Sequence, residues 1–567
     1  MFRLLLLACS ALVAVAAPST AWYDHGAVIY QIYPRSFKDS NGDGIGDLNG
    51  ITEKLDHLAD LGVQALWMSP IFTSPQVDYG YDISNFTDID PDYGTLADFD
   101  RLVAKAKSLG LKVILDFVPN HSSNQHPWFL KSIKKISPYT DYYVWHDPKI
   151  VNGTRYPPNN WISNFQNGAW EWNEERQQYY LHQFAVAQPD LNYRNEVLKQ
   201  EMKDVLSFWM KRGVDGFRID AINHLFEDPL FRDEPKANVT GVPENDYEYL
   251  DHIYTKNYDE VYDVLKSWRV LMDEFSTKTN SDYKMILTEA YANHTMTIKY
   301  YDAGSTVPFN FMFISDLNNQ STAADFKTFI DRWVDSVPQG KVSNWVVGNH
   351  DNHRVASRFG TRRADQINML AMLLPGVSVI YNGDEIGMED RFFTYEETID
   401  PAGCNSGPDR YTLRSRDPER TPFQWDNTTS AGFSTSNVTW LPVHTNYKCL
   451  NLQAEKQAKE SHYHVFKALS ALKKVPAIRH SYLKVLVLAD HVLSVVRHIG
   501  SRAAVLLINF SDKPVTVNVT TSYVVAPELL VYTSSVGSGV LVGSRVNPTN
   551  VKLPGAASIL YTTPNLH

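Results

Sequence analysis

Cysteine is scarce in this chain of 567 residues: only Cys9, Cys404 and Cys449. With Cys9 inside an N-terminal apolar run, one bridge at most is available, which excludes a disulfide-dense scaffold. Positive charge is also short. Lys and Arg number 53 against 64 Asp and Glu, a net charge of −11 without runs of either sign. That balance is wrong for a polyphosphate partner, so no nucleic acid is expected. After the N-terminus no apolar run reaches the ~20 residues of a spanning helix, and no repeat or low-complexity tract occurs. Hydrophobic residues at 43% and charged residues at 21% are ordinary globular usage, which excludes global disorder.

What is present begins with Arg3, followed by an apolar run from Leu4 to Ala17 and small residues at Ala14, Ala16, Ala17 and Ala21. The run is too short for a membrane span and reads as a secretory signal peptide over residues 1–21, a buried helix being the alternative. The tail ends polar at Pro564, Asn565 and His567, which predicts no anchor helix and no lipid-anchor signal. The expectation is a secreted, extracellular, soluble protein. Sequons at Asn85, Asn120, Asn152, Asn238, Asn293, Asn319, Asn427, Asn437, Asn509 and Asn518 agree with that compartment. There, Cys404 and Cys449 are expected to pair, closing a loop of about 45 residues that constrains the unfolded chain by roughly 4 kcal/mol; two free thiols are the alternative.

Short β-rich runs alternate with amphipathic helices. Strand candidates are Val28–Tyr33, Ala65–Met68, Val113–Val118, Val214–Asp220, Met285–Ala290, Phe309–Phe313, Trp345–Gly348 and Val377–Tyr381, and helical spacing runs through Leu48–Leu61, Leu96–Leu109, Val197–Arg212 and Tyr258–Phe275. Eight buried strands alternating with helices predict an α/β fold, a parallel (β/α)8 TIM barrel rather than an open sheet. Residues 121–193 interrupt the pattern after strand three. Rich in Pro, Asn, Trp and Tyr and without helical period, they predict an inserted subdomain on the active face. Short strands at 483–496, 503–509, 515–520, 529–532 and 551–561 predict a C-terminal antiparallel β-sandwich. The expected division is 22–120 and 194–481 for the barrel, 121–193 for the insert and 482–567 for the sandwich.

Barrel enzymes carry reacting groups at the C-terminal ends of strands. Those ends hold Asp116 and His121 after strand three, Arg218 and Asp220 at strand four, Glu289 at strand five, and His350 and Asp351 at strand seven. Residues i and i+2 of a strand share a face, so Arg218 and Asp220 point the same way while Phe217 and Ile219 pack against helices. An Arg beside an Asp is expected to lower that carboxylate's pKa and hold it ionised, as a nucleophile requires. A capping ion pair explains any one of these residues but not the whole set at successive strand ends.

The segments Asp116-Phe-Val-Pro-Asn-His121, Gly216-Phe-Arg-Ile-Asp220, Thr288-Glu-Ala290 and Gly348-Asn-His-Asp351 resemble the four signature regions of the α-amylase family of glycoside hydrolases. Gln188-Pro-Asp-Leu-Asn192 further resembles the oligo-1,6-glucosidase and α-glucosidase branch, in which the chain is most similar to insect maltases, the digestive α-glucosidases. The resemblance implies Asp220 as nucleophile, Glu289 as acid and base, and Asp351 as stabiliser of the oxocarbenium charge. It further implies that Arg218 orients Asp220 and that His121 and His350 bind sugar hydroxyls. The aromatic content, 12% of residues, suits stacking on sugar rings without being specific to it. Asp78-Tyr-Gly-Tyr-Asp82, after strand two, resembles the family segment that reads a chain's non-reducing end. Asp78 would accept from terminal hydroxyls and Tyr81 would stack on the ring. Arg416 is expected as the partner of Asp78, with Arg420 the competing choice.

Asp39-Ser-Asn41-Gly-Asp43-Gly-Ile45-Gly-Asp47 offers oxygens at positions 1, 3, 5 and 9 and a carbonyl from Ile45 at 7, although position 12 is Gly50 rather than Glu. It resembles the calcium loop of oligo-1,6-glucosidase relatives and implies one structural Ca2+ and no organic cofactor; a solvated acidic turn is the alternative. Ala221, next to Asp220, is expected near the mouth of the second sugar subsite. In the family a Val there goes with α-1,6 preference and smaller residues with α-1,4 cleavage. The expected activity is a retaining α-glucosidase (maltase) acting on small oligosaccharides. Alternatives are a sucrose-preferring hydrolase, an endo-acting α-amylase, and the non-catalytic heavy subunits of amino-acid transporters, which share the fold but carry a membrane span.

Overall fold

The computed structural model describes residues 22–23, 26–521 and 524–566. The leader expected over residues 1–21 lies outside them. Eight parallel strands form one sheet: β1 (Val28–Ile32), β2 (Ala65–Met68), β3 (Lys112–Phe117), β4 (Gly216–Ile219), β5 (Met285–Thr288), β6 (Val307–Pro308), β7 (Asn344–Val346) and β8 (Val377–Tyr381). Their order is β6-β5-β4-β3-β2-β1-β8-β7, every neighbouring pair parallel. Among the described residues no backbone ladder joins β6 to β7. A side chain spans that gap instead: Asn344 Nδ2 donates to Pro308 O (2.6 Å), and Asn344 Oδ1 accepts from Asn310 N (2.8 Å). The chain is a (β/α)8 barrel closed by an asparagine at its last seam.

Alternation along the strands separates two cores. Ile29, Trp67, Ile114, Leu287 and Val379 fill the barrel, whereas Tyr30, Leu66, Leu115, Phe217 and Ile219 pack outward in the larger cluster under the helices. Arg218, between two outward residues, therefore points inside. The helices begin and end where the sequence provides caps. Helix α1 (Leu48–Leu61) opens on Asp47, whose carboxylate accepts from Gly50 N, and closes on Gly62 at φ 78°. Helix α2 (Leu96–Ser108) opens on a Thr95/Asp98 capping box.

Several expectations change. Strand six is Val307–Pro308, and the apolar run Phe309–Phe313 is not a strand. Phe309 packs on Trp67 with ring centroids 5.5 Å apart, Phe311 stacks on Tyr291 at 4.5 Å, and a short helix starts at Met312. A short apolar run has no period that separates strand from turn. The insert after β3 contains a helix, Pro127–Ile133, beside a three-stranded antiparallel sheet (Trp145–His146, Gln178–Leu181, Trp170–Asn173). Cys404 and Cys449 are free and exposed rather than paired. Cys404 sits in the helix Pro401–Ser406, its thiol donating to Thr398 O at 3.4 Å, and Cys449 follows a separate turn, Thr445–Lys448.

The C-terminal region is a six-stranded antiparallel sheet with a two-stranded one, Val515–Val517 with Val551–Leu553. The expected strand 483–496 is a hairpin, Tyr482–Ala489 and Val492–Ile499. Val505, Leu507 and Ile559 pack with Val517 and Leu553 between the two layers. Of the sequons, Asn120 and Asn509 are buried at 1% and 0% exposure, which leaves no room for a glycan there.

Candidate active site

The C-terminal strand ends converge on a cavity of about 440 Å³, lined by Asp78, Tyr81, His121, Asp220, Glu289, Asp351 and Arg416 among others. That is a size suited to a small ligand. Arg218, fully buried on β4, organises its floor. Its Nη1 donates to Asp116 (2.9 and 3.1 Å) and to Asp220 Oδ1 (2.5 Å), and Nη2 lies 3.5 Å from Glu289 Oε2. One cation is thus shared by carboxylates from three adjacent strands.

The expectation that Arg218 lowers the pKa of Asp220 does not hold in the net. Burial, followed by the repulsion of Glu289, Asp116 and Asp351, outweighs the guanidinium, and the pKa of Asp220 is raised. Glu289 is raised for the same first reason, burial, with Arg218 opposing. Of the two, Asp220 is the nearer to the guanidinium, at 2.5 Å against 3.5 Å for Glu289.

Ala221 completes this floor through its backbone. It lines the cavity in the left-handed region (φ 42°, ψ 37°), and its N–H donates to Glu289 Oε2 at 2.6 Å. The left-handed turn aims that amide back at the acid of the neighbouring strand.

The opposite wall is built by loops. Arg416 Nη2 donates to Asp78 Oδ1 (2.7 Å) and to Asp400 Oδ1 (2.5 Å), and Nη1 reaches Asp351 Oδ1 at 3.4 Å. Arg420 instead donates to Asp351 Oδ1 (2.8 Å) and to His350 O (2.7 Å). Arg416 is therefore the partner of Asp78, and Arg420 serves Asp351. Burial pushes the pKa of Asp351 up, but the guanidiniums of Arg420 and Arg416 outweigh it and hold the carboxyl below its ordinary range.

Tyr81 and His350 form a relay. Gln31 Nε2 donates to His350 Nδ1 (2.8 Å), which leaves the ring proton on Nε2, 2.5 Å from the Tyr81 hydroxyl; that hydroxyl donates to Asp116 Oδ2 (3.1 Å). The Tyr81 ring stacks on His350 with centroids 5.3 Å apart. Burial keeps His350 neutral, and it holds His121 down to about 3. His121 Nε2 lies 3.1 Å from Gln188 Nε2, which also donates to Asp78 Oδ2 at 3.0 Å.

Sequence reasoning missed Asp400, which lies in an irregular loop without a motif. It named Asp116 and Gln188 without a role, although both stood inside motifs already recognised. Of the residues expected to bind metal, Asp39 accepts from the amides of Asn41, Gly42 and Gly44, Asp43 from Ile45 N, and Asn41 from Asp43 N. Asp47 is turned toward α1, accepting from Ser40 and Gly50.

A parallel barrel whose strand ends gather three carboxylates around a buried Arg, with a fourth held by loop arginines beside them, points to a carbohydrate-active class. The catalytic-domain profile of that class, "Alpha amylase, catalytic domain", matches residues 31–481, and the chain belongs to the α-amylase family of glycoside hydrolases. Within it the chain is 52% identical over 489 residues to an α-glucosidase of Apis mellifera, covering 86% of this chain and 85% of that protein. It is 48% identical over 545 residues to maltase A1 of Drosophila melanogaster, covering 94% of each. Among solved structures, the α-glucosyl transfer enzyme XgtA superposes with a TM-score of 0.84 at 34% identity, over 96% of this chain and 100% of that one.

Proposed function

We propose that this chain is a secreted α-glucosidase of the maltase type, releasing α-glucose from the non-reducing end of maltose, maltooligosaccharides and sucrose with retention of configuration. The observation that carries this reading is the Asp78–Arg416–Asp400 ion cluster against the catalytic rim. A buried, fixed carboxylate–guanidinium pair closes the cavity beyond one sugar and offers acceptors and donors to its terminal hydroxyls. An endo-acting cleft would need that end open.

In the mechanism Asp220 attacks the anomeric carbon from below while Glu289 gives its proton to the leaving oxygen. Water, deprotonated by Glu289, then cleaves the glycosyl ester. Asp351, kept ionised by its arginines, stabilises the positive charge at the anomeric carbon in both transition states. Tyr81 presents its ring face to the first sugar, and His121, neutral by burial, bonds its hydroxyls. His350, expected to do the same, has both ring nitrogens engaged by Gln31 and Tyr81 and instead holds Tyr81 in place. Ala221 borders the second sugar, and its small side chain suits an α-1,4 linkage.

Freshly released glucose, read by proton NMR before mutarotation, is expected as the α anomer. A β product would sink the double displacement. A panel of maltose, sucrose, isomaltose and starch should show glucose released fast from maltose and slowly from starch and isomaltose. Recovery of the activity from the medium of expressing cells tests secretion. The oxygens of Asp39, Asn41, Asp43 and Asp47 and the carbonyl of Ile45 are of the hard kind that calcium takes, and in this reading they would gather around one Ca2+ that pins the loop after β1 without touching the chemistry.

A further inference from the structure

Among the described residues, one group of imidazole and carboxylate side chains gathers outside the catalytic rim. His353, Asp390 and Glu419 each bring a ligand atom to within 4.8 Å of the others. His353 Nδ1 lies 2.8 Å from Asp390 Oδ2 and 3.5 Å from Glu419 Oε2. Donors bound to one ion at about 2.0–2.2 Å stand roughly 3–3.5 Å apart, so the His353–Glu419 separation suits one cation, and the His353–Asp390 hydrogen bond need open by only a few tenths of an ångström to do so.

Glu419 supplies a second, independent observation. Its side chain is 2% exposed, and Oε2 has no hydrogen-bond partner. A buried carboxylate oxygen left without a donor beside a second carboxylate is costly unless a cation or a shared proton sits between them. The rest of the group is already held. Asp390 Oδ1 accepts from Arg354 N (2.8 Å), and Asp390 N donates to Ser357 Oγ (2.9 Å), the outer contacts that orient a metal ligand. His353 borders a cavity of about 250 Å³ shared with Phe393, Tyr411 and Ser415, which provides entry and space for water ligands.

One imidazole nitrogen with two carboxylates suits a first-row divalent ion such as zinc, whereas calcium takes six to eight oxygens. We propose that His353, Asp390 and Glu419 form a metal site for a zinc-like divalent cation, which clamps the loop carrying Arg416 and Arg420 to the end of β7. His353 follows Asp351 by two residues, and Glu419 immediately precedes Arg420, which donates to Asp351 at 2.8 Å. The ion would cross-link the two chain segments that meet at that carboxylate.

The test uses the full chain, stripped of metal by chelation, resupplied with excess calcium and titrated with Co2+, whose visible absorption reports nitrogen and oxygen ligation. One equivalent is expected to bind and raise Tm, and Zn2+ should displace it. Glu419→Gln, close in shape, and His353→Ala should each weaken Co2+ binding by about tenfold or more; if His353→Ala does not fold, Glu419→Gln decides alone. A titration without absorption change in the native chain overturns the site, which then holds only a shared proton. Absorption retained in the variants overturns it equally, because the ion then sits elsewhere. Either failure leaves the glucosidase reading untouched.

Discussion

Two buried guanidiniums organise the cavity, and the chain supplies their partners differently. Arg218 is a strand residue whose acids, Asp116, Asp220 and Glu289, come from three adjacent strands. Arg416 is a loop residue whose acids, Asp78, Asp400 and Asp351, come from turns far apart in sequence. Three acids compete for one cation around Arg218, and burial raises all three. Across the cavity Asp351 has a second cation, Arg420, and is held low. One end of the site therefore favours protonation of its carboxyls, and the other holds its carboxyl ionised. Cation count, more than burial, sets the difference.

The largest test of that division is Asp220→Asn. On the proposed mechanism kcat should fall by about 10⁴-fold or more, while Tm holds or rises, because one of three competing acids is gone. A lower Tm would mean that Asp220 is the structural partner of Arg218. Glu289→Gln should spare substrates with good leaving groups, which need little protonation. The native enzyme needs Glu289 protonated, so its activity should decline as pH rises through that raised pKa, and a pH–rate profile of Glu289→Gln should lack this alkaline limb.

On the loop side, Arg416→Lys keeps charge but loses the fork that joins Asp78 to Asp400. Breaking a buried pair costs about 3–5 kcal/mol, so kcat/KM for maltose should fall by roughly 10²–10⁴-fold, carried mainly by KM. A loss confined to kcat would erase the distinction between reacting and holding ends. Ala221→Val should shift the ratio of kcat/KM values toward isomaltose by about tenfold, a methyl-scale contact being worth ~1–3 kcal/mol. It should also lower Tm, since a β-branched residue is strained at positive φ. Equal losses on both sugars would remove Ala221 from the second subsite. The smallest effect belongs to the loop after β1: chelation or Asp43→Ala should lower Tm by a few degrees with kcat unchanged.

The Arg218 end was legible in the sequence because β-strand alternation alone aligns Arg218 with Asp220 and orders Asp116 and Glu289 beside them. The Arg416 end was legible only through motif resemblance, and only as far as Asp78 and Arg416. Asp400 is the N-cap of a six-residue helix in an irregular loop, where neither period nor motif points to it. The amide of Ala221 was invisible for another reason, since a backbone group has no signature in a list of side chains. Strand six misled because Phe309 and Phe311 are apolar for packing against Trp67 and Tyr291, not for pairing. The cysteine pair misled because a leftover even number of thiols says nothing about where their chain segments lie.

The barrel behaves mechanically as a bracelet with a clasp. Backbone ladders join seven of its eight seams, each a cooperative row of bonds, while the eighth, between β6 and β7, is fastened by the side chain of Asn344. Asn344→Leu would strip the Pro308 carbonyl and the Asn310 backbone amide of their partners, leaving only the bond from Asn310 Nδ2 to Asn344 O (3.2 Å) across the seam, and the ring would start to open there. Backbone amides flanking that seam are the place where hydrogen exchange should first register a partly unfolded barrel, well before the ladders around Arg218 give way.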